Sequence, residues 1–184
     1  MRGYVMKKVF TALLLLCFIY LPMTVAYATS DYVPKGYPPP VDRSEFAIGG
    51  VYIGMPMNQV RQLYGEPTKI ELQPENHAFD DVEIWTYGES FTINFERAAN
   101  GNKISYLIIT RANNGLKTPS GFTVGQSIGE VISHFKKQGV RMQYRRWNGV
   151  SYYSVSQRGA IFNGMSFAVD KNGKITEISV HEES

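Results

Sequence analysis

The chain has 184 residues, a single cysteine, and 19 basic against 16 acidic side chains, for a formal net charge of +3. One cysteine, Cys17, excludes an internal disulfide framework and a multi-thiolate metal site. Arg2, Lys7 and Lys8 hold the whole excess, so from residue 29 onward 16 basic side chains meet 16 acidic ones, a balance that argues against nucleic acid or an anionic membrane as partner.

Residues 1–28 read as a secretory signal peptide. The three cations precede an apolar run from Val9 to Leu21 that stops at Pro22 after 13 residues, short of the roughly 20 a membrane-crossing helix needs. Ala26-Tyr27-Ala28 places small residues at both recognition positions, and cleavage is expected after Ala28. The product is then extracytoplasmic, periplasmic or secreted, with no stable membrane insertion. Lipidation of Cys17 is the weaker alternative, because Leu16 stands where a small residue should precede the modified cysteine and bulky Phe18 follows it.

Residues 29–47 are expected to form an extended, proline-rich arm, with four prolines in the stretch 29–45 and few aliphatic side chains. Beyond it the chain repeats itself. Gly50-Val51-Tyr52-Ile53-Gly54, then Met57, Val60 and Tyr64, are answered 71 residues later by Gly121-Phe122-Thr123-Val124-Gly125, then Ile128, Val131 and Phe135. Asn100-Gly101-Asn102-Lys103-Ile104 is likewise answered by Asn172-Gly173-Lys174-Ile175. The spacing predicts a duplicated unit, residues 48–115 and 116–184.

Each unit is expected to open with a short helix. Met57, Val60, Leu63 and Tyr64 make one apolar stripe, ended by Gly65 and Pro67. Ile128, Val131, Ile132 and Phe135 make the other, started by a Ser127/Glu130 capping box and stopped by Gly139.

Strands follow, and two turns assign their faces. Asn148-Gly149 predicts a two-residue hairpin pairing Trp147 with Val150, Arg145 with Tyr152 and Gln143 with Ser154. Val140, Met142, Tyr144, Tyr153 and Val155 then face the helix, and Arg141, Gln143, Arg145, Trp147 and Tyr152 face away. Taking Gly88-Glu89 as a second two-residue turn pairs Trp85 with Thr92. Val82, Ile84, Phe91, Ile93 and Phe95 then go inward, and Glu83, Trp85, Tyr87, Ser90, Thr92 and Asn94 outward.

Gly54-Met55, Val60, Gly65 and Pro67 resemble the opening motif of the SmpA/OmlA family of outer-membrane assembly lipoproteins, with Tyr64 where leucine is usual, and Trp85-Thr86-Tyr87 resembles that family's Trp-x-Tyr strand. The tandem arrangement is similar to the β-lactamase-inhibitor-protein fold. The resemblance spans residues 48–181 and implies an α+β protein whose two helix-plus-antiparallel-sheet units share one continuous antiparallel sheet. It also implies an exported, non-enzymatic binder of other proteins. The lipidated cysteine of the first family at the start of the mature chain and the disulfides of the second have no counterpart here.

No serine-hydrolase, zinc-protease or nucleotide-binding motif occurs, and no catalytic residue, metal ligand or cofactor is assigned. His134 belongs to a helix edge and His181 to the C-terminus. His77, among Glu75, Asp80, Asp81 and Glu83, lacks the spacing of a calcium loop. The outward aromatic and charged set remains: Glu83, Trp85 and Tyr87 on one hairpin, and Arg141, Arg145, Trp147 and Tyr152 on the other. Trp, Tyr and Arg dominate protein interfaces, so this face is the candidate contact surface for a protein or cell-envelope partner. The alternatives are a cell-envelope hydrolase with a non-motif site and a purely structural envelope component.

Overall fold

Val41 is already a core residue in the computed structural model, which describes residues 41–73, 82–156 and 164–181. The signal, its cleavage site and the arm up to residue 40 lie outside the described residues, as do Glu75, His77, Asp80 and Asp81. The arm expected to run to residue 47 is therefore packed over its last part. Asp42 accepts the Ser44 amide at 2.8 Å to cap a single 3-10 turn, Arg43–Glu45, and Phe46 and Ala47 are buried behind it. Apolar side chains at 41, 46 and 47 outweigh the extended bias of the prolines before them.

Two short strands, β1 (Ala47–Ile48) and β2 (Val51–Tyr52), fold back on each other through Gly49-Gly50 and lead into helix α1 (Met57–Tyr64). Gly49 is left-handed, with φ +59°, and a Cβ on it would strike the Tyr64 hydroxyl, which donates to the Gly49 carbonyl at 2.5 Å. Only glycine fits there. In α1, Val60 is fully buried and Met57 and Tyr64 pack beside it, whereas Leu63 is 57% exposed. At about 100° per residue, Leu63 sits on the opposite shoulder of Val60 from Met57 and Tyr64, so the seam runs past it.

Strands β3 (Lys69–Gln73), β4 (Val82–Tyr87), β5 (Phe91–Arg97) and β6 (Lys103–Thr110) come next. Helix α2 (Ile128–Lys137) follows, and then β7 (Gln143–Trp147), β8 (Val150–Ser156), β9 (Gly164–Val169) and β10 (Ile175–His181). The protein is α+β: these strands form a large antiparallel sheet in the order β3-β4-β5-β6-β10-β9-β8-β7. Helix α2 begins at the expected serine cap, Ser127 Oγ accepting the Gly129 amide at 3.3 Å. The reciprocal half of a capping box is missing, because the Glu130 carboxylate turns to the Gln126 side chain and accepts from it at 3.4 Å.

The core lies on one face of this sheet. Val60 of α1 and Val131 and Phe135 of α2 join Phe91, Ile93 and Phe95 of β5, Ile108 of β6, and Ile178 and Val180 of β10 in a single cluster. The pairings Ile93↔Ile108↔Val180↔Met165↔Val155 carry one apolar row across five strands. Fully burying side chains of this size contributes about 1.5–3 kcal/mol each, so the row ties five strands into the core.

The first hairpin departs from expectation. β4 and β5 pair Tyr87 with Phe91, Trp85 with Ile93 and Glu83 with Phe95, so the loop holds three residues, Gly88 to Ser90. A one-residue slip exchanges the faces of a strand. Trp85 is thus 0% exposed on the helix side with Glu83 and Tyr87, and Ile84 is on the other side and half-exposed. A two-residue turn of the commonest hairpin type needs positive φ at both positions; Gly88 supplies it and Glu89 does not.

The two opening segments are tied to the sheet by similar bonds. Gly54 and Gly125, at φ +87° and +94°, donate their amides to Ser105 and Ile175 at 2.7 and 2.8 Å. Pro56 bridges Ile104, and Ser127 bridges Lys174. Among the described residues no helix is long and apolar enough to cross a membrane.

Candidate functional site

The β7–β8 hairpin carries the exposed set. Asn148 and Gly149 adopt φ +48° and +81°, the left-handed pair that lets a two-residue turn follow the strand twist. Trp147 then pairs with Val150, Arg145 with Tyr152 and Gln143 with Ser154, the expected register. Tyr153, Met142 and Val140 pack on the core from the helix side, so Arg145, Trp147 and Tyr152 share the face turned away. Trp147, the last residue of β7 before the turn, is 68% exposed.

Around them the face is built of short and half-exposed side chains. The row Gln143↔Ser154↔Ser166↔Ser179↔Ile109↔Thr92 crosses six strands with no long charged side chain. The large contact groups gather at its β7–β8 end.

Four residues of the expected set stand elsewhere. Glu83, Trp85 and Tyr87 belong to the helix side, where Trp85 packs edge-on to Phe95 at 4.9 Å and the Arg61 guanidinium lies 4.8 Å over its ring. Tyr64 meets Tyr87 and Phe91, each at 5.3 Å between ring centres. Arg141 precedes β7 and lines a groove with Ile132 and Lys136 of α2. Tyr144 was expected in the core with Tyr153 and is instead 56% exposed, because β7 is the last strand and nothing described packs beyond it.

Glu83 is anchored on the covered side. Its carboxylate accepts Lys103 Nζ at 2.6 Å and Trp85 Nε1 at 2.7 Å. Burial pushes the carboxyl pKa up, but the bonds from Lys103 and Trp85 and the charges of Lys103 and Arg61 outweigh it and hold the pKa below its ordinary value. The arrangement ties Trp85 Nε1 and Lys103 Nζ to one carboxylate and so holds Trp85 in place against the core.

A serine and a histidine meet beside α2. Ser120 Oγ lies 3.1 Å from His134 Nε2 and donates to Glu45 Oε2 at 2.5 Å. In a hydrolytic triad the acid holds the second histidine nitrogen; here it holds the serine proton, and His134 is packed edge-on to Phe122 at 5.2 Å. The cluster links the 3-10 turn at Arg43–Glu45 to α2, and Gln138 Nε2 lies 2.9 Å from the same His134 nitrogen. Among the described residues no group of three or more His, Cys, Asp or Glu side chains is placed to hold a metal.

Sequence reasoning missed Arg146, exposed on the helix side of β7, and the groove beside α2. The Arg145-Arg146 pair was a legible signal for a charged edge; the groove depends on how α2 crosses the sheet and has no local signature. Compared with protein-family models, curated proteins and solved structures, the chain matches none.

Proposed function

We propose that the protein is an exported, non-enzymatic binding module that contacts a protein of the cell envelope or extracellular space through the sheet face turned away from its helices. The carrying observation is an indole 68% exposed at the end of that face, in register with Arg145 and Tyr152. Exposing tryptophan has a cost in water that a desolvated contact recovers, and Trp, Tyr and Arg are the side chains that anchor such contacts. Glu83, Trp85 and Tyr87 drop out of the contact set, and Arg141 moves to its margin.

Two tandem helix-plus-sheet units sharing one sheet make the best account of the architecture. The strand order reads the same from either edge, with β6 and β10 adjacent at the centre. The paired glycines and the bridges from Pro56 and Ser127 recur near the same offset. That arrangement supports the resemblance to the SmpA/OmlA and β-lactamase-inhibitor-protein folds, and with it a binding role outside the cytoplasm after cleavage at Ala28.

The test is crosslinking pull-down of residues 29–184 from envelope extract. A defined protein should be enriched, and Trp147→Ala with Arg145→Ala should lose it. Enrichment of nothing, with turnover of wall sugar or peptide instead, would establish the hydrolase reading.

A further inference from the structure

We propose that the outer edge of β7 accepts an extended peptide segment as an added strand, one in which acidic residues alternate with apolar ones. This deepens the binding role above and rests on it for the class of partner.

Strand β7 ends the sheet, and all five of its residues are exposed. An edge strand presents every second main-chain N–H and C=O outward, a row that another extended chain can complete. At the opposite edge, β3 carries Lys69 and Glu71 paired with each other at 2.8 Å, so that edge is locally neutral. β7 differs in charge: Arg145 points to one face and Arg146 to the other, and among the described residues neither they nor Arg141 has an acidic partner. Uncompensated arginines oppose pairing of β7 with a second copy of itself and favour an acidic strand.

The apolar half of the motif comes from the neighbouring groove. Ile132 of α2 with Met142 and Tyr153 lines a cavity of about 480 Å³, and Lys136 and Arg141 stand at its margin. An added strand alternates its side chains between two faces. On the helix side they meet this groove and the exposed Tyr144 ring; on the other they lie beside Arg145 and Trp147. Apolar side chains on the first face fill the groove over Ile132, Met142 and Tyr153, carboxylates on the second meet Arg145, and the cations on the helix side, Arg146, Lys136 and Arg141, add attraction for the acidic segment as a whole.

The probe is a fluorescein-labelled nonapeptide alternating valine and glutamate, titrated into residues 29–184 and followed by fluorescence anisotropy. Controls are the same composition with the alternation scrambled and the same peptide N-methylated on alternate amides, which removes ladder donors while keeping charge and apolar area. The alternating peptide should bind about tenfold or more tighter than either control, and added salt should weaken it. Arg145→Glu with Arg146→Glu should cost about tenfold or more, while Lys69→Glu at the other edge should change nothing. Equal binding of the scrambled or N-methylated peptide, or binding of none, overturns the strand-addition proposal. Failure of the two readings is separable: an envelope partner captured through Trp147 but not displaced by the peptide sinks the edge alone, and peptide binding without any captured partner sinks the sheet-face reading alone.

Discussion

Trp85, Tyr144 and Trp147 show how one side chain's surroundings outweigh its type. All three are large aromatic residues on strands, yet the first is sealed under Arg61 and Phe95 and the others are more than half exposed. Trp85→Ala should lose about 3–5 kcal/mol through the cavity it opens. Tyr144→Ala should lose well under that, about 1 kcal/mol or less, since it gives up only a ring contact with Tyr153 and an exposed hydroxyl contact with Ser151. Urea unfolding of the two variants checks the ranking, and equal losses would mean the β7 edge is covered. Glu83 adds a pH dependence of known sign. Its folded pKa is depressed, so the stabilisation it contributes is present above the ordinary glutamate range and disappears as pH falls through the lower folded value. Glu83→Gln should therefore be destabilised at neutral pH by an amount that shrinks below about pH 4. A difference that stays constant down to strongly acidic pH would refute the assignment.

At the scale of elements, the two hairpins explain what was and was not legible. Both helices and the β7–β8 register followed from apolar spacing, a serine cap and an Asn-Gly turn, all local signals. The β4–β5 register did not, because Gly88-Glu89-Ser90 is compatible with two loop lengths and the burial of Trp85 decides between them. Three of the seven expected contact residues, all on β4, went with that decision; Arg145, Trp147 and Tyr152 kept their place, and Arg141, just before β7, lines the groove beside α2. Val41, Phe46 and Ala47 were hidden behind the prolines, and the α2 groove depends on tertiary placement. The same elements predict how glycine replacements rank. Gly149 has open space where a Cβ would go, so Gly149→Ala should cost only the left-handed strain, about 1–2 kcal/mol. Gly49→Ala adds a collision with Tyr64 and the loss of its hydrogen bond, and should cost clearly more in thermal unfolding. If Gly49→Ala is the milder variant, the β1–β2 turn does not rest on Tyr64.

Across the whole molecule, what joins the two ends of the sheet is both main-chain and apolar. β6 and β10 pair over four residues from Ile178↔Thr110 to His181↔Leu107, and Arg111 meets Glu177 across that junction at 2.7 Å. The ion pair is exposed and contributes little, about 0–1 kcal/mol. The apolar row is the stronger link: Ile108, Ile178 and Val180 are each 0% exposed and belong to the same buried cluster as Val60 of α1 and Val131 and Phe135 of α2. A core that is continuous across the junction leaves neither side able to unfold without exposing the other's apolar surface, so unfolding should be a single cooperative transition. In a Trp147→Phe background, fluorescence reports Trp85 alone, on the β4 side, while amide exchange of β8 and β9 reports the other. Urea midpoints from the two should coincide in that background. Ile108→Ala and Ile178→Ala should shift both midpoints together, by about 2–5 kcal/mol in stability. Separation of the midpoints in the parent would show that the two ends fold independently, and separation only in the variants would show that the β6–β10 row is what couples them.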